Sequence, residues 1–150
     1  MSCIPTKLIG LEGESVRLSS RVEYGVRAMF ELALSHGGDP VSIKTINERQ
    51  CISESYLEQL FGSLRKSGLV KGIRGNAGGY VLVKSPKDIT VGEIVCSLDG
   101  PIIPWGCLSD HNCSQHNSCA AQKVWGKLQK SIDDVLDSTS LQDMIDSVNK

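Results

Sequence analysis

Cys107, Cys113 and Cys119 stand at the spacing C-x5-C-x5-C, within a stretch of Pro, Gly, Ser, Asn and His that has no apolar periodicity. Thiolates are soft ligands that select zinc, copper(I) or the iron of iron–sulfur clusters. Structural zinc usually takes its ligands in pairs separated by two to four residues, and neither interval here fits. Equal gaps of five make a loop able to wrap something larger than one ion. The plain alternative, three reduced thiols with no ligand, would leave sulfurs open to oxidation. Residues 99–119 therefore read as a functional loop, since a connector of that length without structure of its own is uncommon in a small domain. The other cysteines carry less. Cys51 and Cys96 sit among apolar residues and are expected to be ordinary buried thiols, and Cys3 lies in an N-terminal tail.

Compartment bears on what clustered thiols mean. No apolar run approaches the roughly 20 residues that span a bilayer. The opening MSCIPTKLIGLEGES lacks the basic start, long apolar run and small-residue cleavage site of a secretory signal. A cytoplasmic protein is expected, and in a reducing cytosol six cysteines are not a disulfide framework. The net charge of −1 conceals an asymmetry. Residues 17–87 hold 11 Lys/Arg against six Asp/Glu, whereas residues 88–150 hold four against nine. A basic first half suggests that this half alone meets a polyanion.

The elements that must position these groups follow from periodicity and caps. Val22, Val26, Met29, Phe30 and Ala33 recur at helical spacing, behind Ser20 and Glu23 at the capping-box spacing S-x-x-E. Ser42 can cap a short helix to about Gln50, and Ser53 a second from Glu54 to Ser67 that stops at Gly68. In that second helix Leu57, Leu60, Phe61 and Leu64 form the inner stripe, leaving Ser55, Glu58, Gln59, Arg65 and Lys66 on outer faces. Two short helices joined by a tight turn, the second polar outside and basic at its end, describe a helix-turn-helix. Leu69–Val70 and Ile73, the turn RGNAGG and then Tyr80–Val83 predict a hairpin, the wing. Thr90 and Glu93 predict a capped helix from Val91 to about Leu98, and Ser140 with Asp143 opens a short terminal helix.

Beyond the cysteine loop, Ala121, Val124, Leu128, Ile132 and Val135 form a narrow stripe on a long helix. A stripe that narrow suits pairing with another helix, which predicts a homodimer through it. The fold class is therefore mainly α with a small β-hairpin: a winged helix-turn-helix plus a long C-terminal dimerisation helix. The expected organisation is a flexible N-terminal extension over 1–15, a DNA-binding domain over 16–98, a cluster-binding loop over 99–119, and the dimerisation and terminal helices over 120–150.

Taken together, NERQCISESYLEQLFGSLRKSGLVKGIRGNAGGYVL, VGEIVCSLDGP and the C-x5-C-x5-C loop resemble the Rrf2 family of winged-helix regulators. The resemblance spans about Val16 to Val148 and is most specific at YLEQLF and RGxxGGY. Within the family it leans to the branch that regulates iron–sulfur cluster assembly, with a nitric-oxide-sensing sibling branch sharing the loop.

The resemblance implies that Ser55, Glu58 and Gln59 approach base edges in the major groove of a palindromic operator. Gln can pair bidentately with adenine, and Glu can accept from the cytosine amino group. Arg74 on the wing would enter the minor groove, while Tyr56, Arg65 and Lys66 hold phosphates. It also makes Cys107, Cys113 and Cys119 ligands of an iron–sulfur cluster, expected as 2Fe–2S in preference to 4Fe–4S. Both types accept three thiolates plus an oxygen or nitrogen ligand. Some relatives supply a histidine three residues after the last cysteine, where this chain has Gln122. The implied fourth ligand is instead Glu23 from the partner subunit, with His111 and His116 as further candidates and the capping box as the competing role for Glu23. The implied function is a DNA-binding regulator that senses cluster status and controls cluster-biogenesis genes. The alternatives are a nitric-oxide or redox sensor of the same family, a zinc-containing constitutive DNA-binding protein, and an iron–sulfur enzyme or electron carrier. No substrate-pocket motif supports the last, so no catalytic residue, small-molecule substrate or membrane partner is expected.

Overall fold

Two serines that accept backbone N–H groups start the first two helices of the computed structural model, which describes residues 18–102 and 119–150. The extension 1–15, Cys3, Cys107, Cys113, His111 and His116 lie outside the described residues. The order is α1 (Ser20–Leu34), α2 (Ile43–Gln50), α3 (Glu54–Lys66), β1 (Val70–Ile73), β2 (Gly79–Leu82), a 3₁₀ turn at Pro86–Asp88, α4 (Val91–Asp99), α5 (Ala120–Ser138) and α6 (Leu141–Val148). The strands pair antiparallel, with Val70 opposite Leu82 and Ile73 opposite Gly79. The fold is mainly helical with one hairpin, as the sequence predicts.

Caps fix the helix starts. The Ser42, Ser53, Thr90 and Ser140 side chains each accept from the N–H three residues on, and the Thr90–Glu93 and Ser140–Asp143 pairs are reciprocal boxes. At α1 the expected box of Ser20 with Glu23 is not formed. Ser19 is the cap and accepts from Val22, because the chain enters the helix one residue earlier than the S-x-x-E spacing implies. Glu23 is thus freed from the capping role and stands exposed in the first turn.

One core holds these elements. Phe61, Leu57, Leu60 and Leu64 of α3 are completely buried, together with Met29 of α1, Ile46 of α2, Ile89, and Ile94 of α4. Each such side chain withdrawn from water contributes about 1.5–3 kcal/mol. Leu141 of α6 belongs to the same core, with Met144 and Ile145 packed against it. Two backbone hydrogen bonds seal that return: Val91 N to Thr139 O at 2.8 Å and Leu141 N to Ile89 O at 3.0 Å. By contrast α5 buries no residue, and Val124, Leu128 and Val135 of its stripe are exposed.

Two cysteines depart from expectation. Cys51 is exposed, at the C-cap of α2 in a left-handed conformation (φ 55°), while the next residue, Ile52, turns into the core. Cys96 is exposed on the outer face of α4, because Ile94, Val95 and Leu98 already fill the inward positions. Among the described residues no helix is long and apolar enough to cross a membrane.

Candidate nucleic-acid interface and thiolate site

The outer face of α3 is the first part of the site. Ser55, Glu58 and Gln59 are exposed on it, while Leu57 and Leu60 point into the core. Spacing of three and four residues puts these polar groups on neighbouring turns of one face. Tyr56 lies on the flank, half-buried, its ring edge-on to Tyr24 with centroids 5.8 Å apart. The Arg27 guanidinium in turn sits 5.5 Å above the Tyr24 ring.

The wing supplies the second part. Arg65 at the end of α3 and Arg74 at the hairpin turn line one groove, with Gly72, Ile73, Gly79 and Tyr80 between them. Lys66 is exposed beside Arg65. The hairpin cannot drift from the helix, for two reasons. Tyr80 stacks on Phe61, and it exchanges backbone hydrogen bonds with Val41 at 2.8 and 3.0 Å. Gly79 lies so close to the Val41–Ser42 backbone that any Cβ there would collide with it. This accounts for the second glycine of GGY as a packing requirement.

Sequence reasoning missed the network that sets the turn between α2 and α3. Glu31, buried on α1, accepts from Arg49 (3.1 Å) and from Gln50. Arg27 donates to the Gln50 side chain at 2.9 Å and to its carbonyl at 2.7 Å. Asn47 closes the turn by donating to Ile52 O at 2.8 Å. Burial is tolerable for Glu31 because its charge is paired and hydrogen-bonded. No sequence signal marked it: the α1 stripe puts Glu31 on the opposite side of the helix, and only packing against α2 buries it.

Of the proposed cluster ligands, Cys119 and Glu23 are described. Cys119 is a free, partly exposed thiol at the N-cap of α5, and its side chain makes no capping hydrogen bond. Glu23 is exposed two residues after Arg21, and Gln122 lies half-buried in the first turn of α5. Among the described residues no three His, Cys, Asp or Glu side chains converge as a metal site.

Residues 18–147 match the Rrf2 family model, described as an iron-dependent transcriptional regulator. The HTH-type transcriptional regulator CymR of Bacillus subtilis is 43% identical over 86% of this chain and 89% of its own. The solved structure of CymR, the global cysteine regulator of that organism, has a TM-score of 0.76 at 41% identity, covering 85% of this chain and 95% of that one. T. potens IscR gives a TM-score of 0.74 at 45% identity, covering 88% of each chain. Among sequence relatives, IscR of Pectobacterium carotovorum is 39% identical over 88% of this chain and 80% of its own.

Proposed function

The chain belongs to the Rrf2 family of transcriptional regulators, and on that premise we propose that it reads a palindromic operator as a homodimer and adjusts its grip to the state of an iron–sulfur cluster. Its relatives are DNA-binding regulators, so it is not an enzyme. The observation that carries the DNA reading is the continuity of the exposed Ser55–Glu58–Gln59 face with the Arg65–Arg74 groove. Base-edge donors and acceptors adjoin cations suited to phosphate, which is the division of labour a sequence reader needs. The exposed stripe of α5 is assigned to the second copy. An apolar helix face left exposed among the described residues is stabilised by pairing.

The cluster reading rests on the three thiolates at equal spacing and on the free Cys119 sulfur at a helix start, a soft donor set that fits iron. When bound, a cluster supplies an iron- and oxidant-sensitive bond network. Glu23 is assigned as the fourth ligand, given by the second subunit. Its release from capping and its place between Arg21 and Tyr24, both in contact with α3, favour this. Binding at Glu23 would then bear on the recognition helix, and a cluster shifts DNA affinity only as far as it binds the two dimer geometries unequally.

A second reading is a response to cysteine supply, favoured by the 43% identity to CymR. Anaerobic purification with iron and sulfide counts, followed by operator binding with and without the metal, separates the two. Iron-bearing protein whose operator affinity changes on stripping supports the cluster reading. Iron-free protein whose binding responds to cysteine metabolites supports the other.

A further inference from the structure

Arg21, on α1, touches two other helices at once. Its Nη2 donates to Ser63 Oγ on α3 at 2.6 Å, and its Nε donates to the Leu98 carbonyl at 3.1 Å. Nε also lies 3.5 Å from a carboxylate oxygen of Asp99, the last residue of α4. Asp99 is held a second time, by the Ser19 hydroxyl at the N-cap of α1. Asp99 opens the stretch that carries the cysteines, and Ser63 lies in the turn of α3 just before Arg65. The two are 36 residues apart in sequence, and one guanidinium spans them.

We propose that Arg21 is a positioning residue that couples the root of the cysteine-bearing segment to the recognition helix. The inference rests on the reading of α3 as the DNA-reading element. A guanidinium is suited to this task because its donors lie on separate nitrogens in a rigid plane. Holding Asp99 and the Leu98 carbonyl with Nε fixes where Nη2 points. A displacement of the end of α4 therefore moves the hydroxyl of Ser63, and with it the turn that carries Arg65. The Arg21–Asp99 pair is about one-third exposed, so it contributes little to stability as an ion pair. Its use is geometric.

The test is a set of double-mutant cycles on the full chain, read as affinity for a duplex selected from a randomised DNA pool by the wild-type protein. D99N is expected to change that affinity at least threefold with Arg21 present and to have no effect in an R21Q background. S63A and D99N together are expected to depart from additivity by at least threefold in the wild-type background, which decides the matter even where R21Q fails to fold. Urea denaturation on the same samples separates positioning from stability. If D99N and S63A lower stability yet leave the affinity of the folded protein unchanged, or if their effects on affinity simply add, the coupling is overturned. Wild-type protein lacking iron would defeat the cluster reading instead, and the cycles would still return their result. Wild-type protein that selects no duplex would defeat the DNA reading itself and the coupling with it.

Discussion

Tyr80 lies almost face to face on Phe61, with ring centroids 4.5 Å apart and planes 21° from parallel. Phe61 is on the buried side of α3 and Tyr80 is in the second strand of the wing, so helix and wing are fixed together as one unit. Gly79→Ala attacks the same junction, because the added methyl would strike the Val41 backbone. The expected cost is about 1–3 kcal/mol of unfolding free energy, as for other overpacked sites, with a loss of operator affinity beyond it. Urea denaturation and DNA titration of the folded protein check both parts; unchanged stability would contradict this docking of the wing.

Base readers and phosphate holders should fail differently. Gln59→Ala is expected to lose about 1–3 kcal/mol against the preferred operator and to relax discrimination at one base-pair position. Arg65→Ala should weaken binding to all duplexes alike and reduce the salt slope by about one. Affinities measured on a set of single-base operator variants at several salt concentrations distinguish the two patterns, and identical behaviour of the variants would remove Gln59 from the base-reading set.

Ligand assignment has its own readout. Cys119→Ser is expected to abolish stable iron retention after anaerobic purification. Glu23→Ala should leave a folded dimer that loses iron faster or absorbs differently. An unchanged spectrum and lifetime in the glutamate variant would exclude Glu23 as a ligand and return attention to His111 and His116.

The stripe on α5 predicts an oligomeric consequence. Leu128 is 43% exposed and Val124 56% exposed. Leu128→Asp places a charge on the face assigned to the second subunit and should shift the protein toward monomer, because an unpaired buried charge opposes association. Sedimentation should show the shift, accompanied by loss of the wild type's affinity advantage for a two-half-site operator over an isolated half-site. A mutant that remains dimeric would place the interface elsewhere.

The start of α6 carries a pH dependence. The Ser140 backbone N–H, and then its hydroxyl, hold the Asp143 carboxyl below its ordinary value. A depressed acid stabilises the fold at pH above its unfolded value and loses that contribution as pH falls through the folded one. The stability difference between wild type and Asp143→Asn is therefore expected to be constant near neutrality and to shrink below about pH 4. Melts across that range test the sign; a difference that grows on acidification would reverse it.

Much of the frame was legible because periodicity and capping are local. The stripe Leu57, Leu60, Phe61 and Leu64 declares the inner face of α3, and every one of its members is buried. Serine and threonine caps mark helix starts wherever a single candidate is available. At Ser19-Ser20 two candidates compete, and backbone entry geometry, invisible in the residue types, selects Ser19. Cys51 and Cys96 were misplaced for a related reason: apolar neighbours in sequence do not say which way a side chain points once a left-handed cap or a filled helix face intervenes.

Long-range polar contacts were not legible at all. Arg21 and Ser63, or Glu31 and Gln50, have residue types common on any surface, and only the packing of α1 against its neighbours brings them together. The family resemblance was most specific at YLEQLF and RGxxGGY, and of the cysteine trio only Cys119 falls among the described residues.

Because the chain comes back to the winged helix at Leu141, α6 is part of the fold's core and not a tail. Cutting the chain after Ser138 would therefore remove a keystone of the winged helix itself.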